Sequence, residues 1–171
     1  MIIAYNGSFT SPEIDTTRKK LYEPPYMAYP TVVFDGTDVF FEPNQSAYSS
    51  SFNQHIMAAK SVTPFFNLSL IATATVNTGN LQMKIITADT IPSDSILAFI
   101  AICEDSVSGS AKDFNYVVRQ LQAFPVALTY PDSLDTIINF THAIPVDKMT
   151  GVLFVQNMNT KKVLQAIKSK F

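Results

Sequence analysis

The spacing of apolar positions changes character at Thr63-Pro64, and that change divides the chain into two parts. Ahead of it, Ile2, Ile3 and Tyr5 lie in a short apolar run with the pattern of a buried strand, ended by Asn6-Gly7-Ser8. Ser11-Pro12-Glu13 combines a hydroxyl cap, a proline at the first helical position and an acid near the positive helix end. This predicts a short helix to about Tyr22, stopped by Pro24-Pro25. TVVFDG and DVFFEP then predict two strands in an antiparallel hairpin around Gly36. With Asn44 as the expected cap, Tyr48, Phe52, Ile56 and Ala59 recur at helical spacing between Ser46 and Lys60. Serines, Asn53 and Gln54 take the other side, so this amphipathic helix needs a sheet to lie on.

Beyond Pro64 the pattern is that of strands. LSLIATATV and LQMKIITAD are joined by Asn77-Thr78-Gly79-Asn80, where positive φ is cheap, and SILAFIAICE follows. FNYVV, FPVALTY, SLDTIINFTHAI and GVLFVQN continue the series with little helix between them. Several short strands at this spacing describe a β-sandwich of immunoglobulin-like type. The last segment, TKKVLQAIKSK, has helical spacing at Val163, Leu164 and Ile167. The turn-like Asn157-Met158-Asn159 before it favours a return strand through Ile167 instead. The predicted organisation is an α+β front segment over 1–62 and an all-β sandwich over 63–171.

Composition narrows the function classes. A chain of 171 residues can bury a sizeable core. Charged residues are sparse at 15% and the net charge is −2, with no basic stripe for phosphates or anionic lipids, which argues against a nucleic-acid partner. No segment approaches the roughly 20 apolar residues of a transmembrane helix, and MIIAYNGSF lacks the features of a signal peptide. Abundant serine, threonine and asparagine with scarce lysine suggest an exported β-protein. Glycosylation-type triplets begin at Asn6, Asn44, Asn67 and Asn139 and are read as surface polar residues.

The candidate chemistry is thin. Cys103 is the sole cysteine, so an internal disulfide and a thiolate metal cage are both excluded. Strand alternation places it with Leu97, Phe99 and Ala101, which reads as a buried, inert thiol. His55 and His142 have no second histidine or carboxylate at ligand spacing. Glu104-Asp105 and Asp132/Asp135 fall at predicted strand ends and turns, and neither a nucleophile elbow nor a glycine-rich phosphate loop is present. No cofactor is expected. The aromatic residues include Tyr22, Tyr26 and Tyr29 and the pairs Phe40-Phe41 and Phe65-Phe66; on a strand, each pair needs cover on both sheet faces.

The succession of strand, helix, X-Pro, hairpin and helix over residues 1 to 60 resembles the C-terminal half of a thioredoxin-like fold. In that fold the proline before the third strand is typically cis, which makes Tyr29-Pro30 in MAYPTVVFDG the cis candidate. YPTVVFDGT, Val117-Val118-Arg119, GVLFVQN and TKKVLQA together resemble the thioredoxin-like outer-membrane proteins known as the twenty-eight-kilodalton outer-membrane protein family. The resemblance implies a thioredoxin-like domain followed by a β-sandwich. A full domain of that kind opens with a strand and a helix bearing Cys-x-x-Cys, whereas Ile2 to Tyr5 already corresponds to its second strand. A shortened product, a fragment, or a part supplied by another chain would each account for this.

The reading that follows is a non-catalytic, exported protein, periplasmic, outer-membrane-associated or extracellular, that makes protein contacts. A sheet lacking its first strand presents an open edge, so a protein partner or self-association is expected, with Ile2, Ile3, Tyr5, Phe40 and Phe41 as the contact surface. One alternative is a thiol-disulfide oxidoreductase-related module whose dithiol portion is not in this chain. Another is a surface- or carbohydrate-binding sandwich, for which tryptophan, the usual platform, is absent.

Overall fold

The hairpin and helix anticipated between residues 31 and 60 both form. In the computed structural model, which describes residues 31–41, 45–91, 95–109 and 113–171, strand β1 (Thr31–Phe34) pairs antiparallel with β2 (Asp38–Phe41). The turn holds Asp35 and Gly36 at φ 46° and 76°, a left-handed backbone that glycine adopts freely and aspartate tolerates. A 3₁₀ turn (Gln45–Ala47) leads into helix α1 (Tyr48–Lys60). The helix thus begins at Tyr48 rather than Ser46, and Ala47 occupies the N-cap without a side-chain bond. The expected cap, Asn44, lies outside the described residues, as do Ile2, Ile3, Tyr5, Tyr29 and Pro30.

A two-stranded hairpin is marginal by itself and needs an apolar cover. Here α1 supplies it: the Phe52 ring meets Phe34 edge-on at 5.7 Å and Phe40 at 5.8 Å. No residue of the helix is fully buried. The stripe through Phe52 and Ile56 is therefore half-covered, while Met57 on the far side is 64% exposed.

From Phe66 onward the chain is a sandwich. One sheet orders β3 (Phe66–Ala74), β4 (Thr78–Thr87) and β9 (Ser133–Thr141). The other orders β11 (Val163–Lys170), β10 (Met149–Asn157), β5 (Ile96–Glu104) and β8 (Val117–Pro125). A short hairpin, β6 (Val107–Ser108) with β7 (Asp113–Phe114), precedes β8. The return strand at the C-terminus is β11, as the turn at Asn157 indicates.

Three details differ from the expectation. FNYVV and FPVALTY were expected as separate strands, but one strand runs from Val117 to Pro125. The polar stretch Arg119-Gln120-Leu121-Gln122 resembles a break in sequence; on a sheet edge such residues are accommodated without one. Asn77-Thr78-Gly79-Asn80 is not the turn, because Ala74 pairs with Gly79 and the chain reverses over residues 75 to 77. Gly79 belongs to β4, and a Cβ there would meet the Phe140 ring at 2.4 Å, so the residue makes room for an aromatic neighbour. Asp135, expected at a strand end, lies inside β9 opposite Lys84. Among the described residues the cis X-Pro bond is Tyr130–Pro131.

Alternation sorts the side chains of the larger sheet. Ile96, Ala98, Ile100 and Ile102 of β5 and Met149, Leu153 and Val155 of β10 face the other sheet and meet Leu81, Met83 and Ile85. Phe99, Ala101, Cys103, Val118, Val152 and Phe154 form a second buried cluster on the opposite face. Every residue of β10 is buried. The unbroken apolar runs ILAFIAIC and GVLFV are the sequence form of strands covered on both faces.

The front hairpin is also tied to the sandwich. Val163 N donates to Asp35 O at 2.7 Å, and a Cβ on Gly36 would lie 2.0 Å from Lys161 O. The Gln156 amide, fully buried, donates to the same Lys161 carbonyl at 2.5 Å.

Candidate functional site

Polar and aromatic side chains gather in three places, each built by a different part of the fold. The first is the hairpin and helix. His55 lies three residues after Phe52, on the same helical face, so its ring stacks on Phe34 at 4.9 Å and 7° and leans on Phe40 at 4.6 Å. Its Nδ1 is paired with the Asp38 carboxylate of β2. No local spacing connects residues 17 apart in the chain; only the helix packing on the hairpin joins them. Phe40, expected as an open contact residue, has its ring packed against Phe52 and His55. Phe41 pairs with Thr31 through the backbone.

The second is a corner at the end of the larger sheet. Ser106 and Tyr116 both adopt left-handed backbone, at φ 55° and 56°, and turn Asp105 inward. Asp105 accepts from Tyr116 N at 2.8 Å and Thr150 Oγ1 at 3.0 Å, and it pairs with the Lys170 ammonium. Burial raises the pKa of this carboxyl, yet the bonds from Lys170, Tyr116 and Thr150 outweigh burial and hold it below the ordinary 3.8. Lys168 Nζ sits 4.8 Å over the Tyr116 ring. Glu104, next in sequence, points to the other side of the strand and accepts from Arg119 Nε at 2.8 Å. The Glu104-Asp105 pair therefore splits into two separate ion pairs.

Cys103 is close by and fully buried. Burial, followed by the Asp105 charge, pushes its thiol up to about 12. A thiolate is the form that attacks a disulfide, and at neutral pH this sulfur stays protonated.

The third is a cleft of about 730 Å³ where the edge strands β8 and β9 approach each other beside the β3–β4 turn. Thr73, Asn80, Asn139, Gln120 and Gln122 contribute its neutral polar lining, and no charged residue takes part. Sequence reasoning missed the cleft, because its residues come from four strands and none forms a motif. His142 follows it at the end of β9, with Nδ1 bonded to Ile144 O at 2.9 Å and Nε2 buried without a partner. Among the described residues no group of His, Cys, Asp and Glu could hold a metal ion. No helix there is long and apolar enough to cross a membrane.

The architecture thus defines a mostly β protein: a two-sheet sandwich with a helix-covered hairpin docked on one end. HBP35 of Porphyromonas gingivalis is a solved structure similar to it, with a TM-score of 0.73 over 94% of this chain at 9% identity. At that identity the likeness concerns the fold. The chain spans 58% of the length of HBP35. No protein-family model and no curated protein matches the sequence.

Proposed function

We propose that this chain is a non-catalytic, exported or cell-surface interaction protein. The observation that carries the reading is Cys103: a lone thiol, fully buried among apolar side chains and raised to about 12, is unsuited to thiol-disulfide exchange. The resemblance of YPTVVFDGT and GVLFVQN to thioredoxin-like outer-membrane proteins supports an exported location. We read the sandwich as immunoglobulin-like, its fourth strand β8 lying beside β5.

Self-association is the finer part of the proposal. Among the described residues the front sheet consists of β1 and β2, and the contact proposed is strand addition at an edge of this hairpin. Val39, Met57 and Val62, each about half exposed or more, lie on or just after this hairpin and helix. The purified chain is expected to be inert in dithiothreitol-driven insulin reduction; turnover above the buffer rate that Cys103→Ala abolishes overturns the non-catalytic reading. Light scattering across a concentration series is expected to show mass above the 18.9 kDa monomer. A constant monomer mass refutes the self-association.

A further inference from the structure

We infer that the cleft between β8 and β9 is a binding site for a neutral oligosaccharide. The inference deepens the non-catalytic binding reading and rests on it.

Three neighbouring strands set a row of short polar side chains side by side on the outer face of the smaller sheet. Thr73 of β3 is in register with Asn80 of β4, and Asn80 with Asn139 of β9. Neighbouring strands lie about 4.8 Å apart, so this row offers hydroxyl and amide groups at regular intervals. Asn139 and Gln122 are exposed and Asn80 is half-buried. None of these three amides, nor the Thr73 hydroxyl, has a hydrogen-bond partner among the described residues. Each amide presents donors and an acceptor to whatever enters.

Gln120 closes the cleft from the other sheet. Its Nε2 donates to Thr141 O at 2.6 Å, which fixes the side chain across the gap between the two edge strands. Its Oε1 remains available as an acceptor. That bond also occupies a carbonyl at the end of β9, where an added peptide strand would have to pair.

The lining decides the ligand class. It carries no charge at all, although charged residues make up 15% of the chain and Lys84 and Asp135 face each other further along the same two strands. An anion or a cation would find no counter-charge. A peptide read by side-chain pockets would find few, since Phe140, the one aromatic residue of the lining, is 8% exposed and its ring is pressed under Gly79. A polyhydroxylated, uncharged molecule suits the hydroxyl and amide groups, with its C–H faces against the apolar part of the lining at Ala74 and Gly79, and about 730 Å³ lies within the range of small-ligand sites.

The test is an array of neutral oligosaccharides, with sulfated and uronic-acid glycans and unrelated peptides as controls, probed with the intact chain. The best neutral glycan is then titrated by calorimetry against the chain and against Asn139→Asp and Gln122→Glu. Both substitutions change exposed groups and nearly preserve shape, so melting temperature should stay the same while affinity drops roughly tenfold or more. The side-chain amide resonances of Asn80, Asn139 and Gln122 should shift on titration. The inference is overturned by an array without neutral-glycan binding, by preference for the anionic or peptide controls, or by affinity unchanged in both variants. Any of these leaves the non-catalytic reading intact, since that stands or falls on the insulin assay.

Discussion

Two residues at one corner of the sandwich define opposite responses to pH. Cys103 is raised from 9.0 to about 12, chiefly by burial. A folded-state pKa above the unfolded one gives stability that is complete below pH 9 and lost as pH rises from there toward 12. Cys103→Ala should therefore show a shallower alkaline loss of stability than the parent in denaturant titrations from pH 8 to 11. In the native parent, the thiol should stay unreactive to a disulfide reagent at neutral pH and react fully once unfolded. Asp105 is the reverse case: its lowered pKa gives stability that is complete above 3.8 and lost as pH falls through the folded value. Asp105→Asn should flatten the acid limb of the stability profile, with the difference from the parent vanishing at the lowest pH. Alternation in SILAFIAICE made the burial of Cys103 legible from sequence. The environment of Asp105 was not legible, since Thr150 and Lys170 are 45 and 65 residues away.

At the scale of elements, the hairpin turn joins the front segment to the sandwich. Gly36 meets both requirements for glycine: positive φ and a backbone carbonyl where a Cβ would be. Gly36→Ala should destabilise the chain by about 1–3 kcal/mol in chemical denaturation. Hydrogen exchange should show β1, β2 and α1 opening more readily than the sandwich strands in that variant. Sequence identified the turn from Asp35-Gly36 but not its docking on Lys161 and Val163. It also placed Gly79 in a turn, because glycine and asparagine together suggest one; the cause of that glycine is the Phe140 ring of a strand some sixty residues later.

Across the whole molecule, hydrophobic burial is unevenly shared. The central strands β5 and β10 of the larger sheet are covered on both faces, whereas the smaller sheet has Ile71, Ile86 and Ile137 exposed on its outer face at 55%, 39% and 59%. β10, with every residue buried and ladders on both sides, should be the most protected element in hydrogen exchange. The outer strands β8 and β9 should exchange sooner, consistent with a cleft framed by sheet edges.

The sequence alone determined the period of each segment, and with it the strands, the single described helix and the inward face of most of them. This is because apolar side chains repeat at two or at 3.6 residues whatever they eventually touch. It also established that one cysteine leaves no resolving thiol in the chain. Tertiary structure decided what brings distant residues together: the pairing of His55 with Asp38, the corner around Asp105, the seat of Gly36 and the uncharged cleft. Each depends on registers between strands far apart in the chain, and periodicity carries no information about which strands become neighbours.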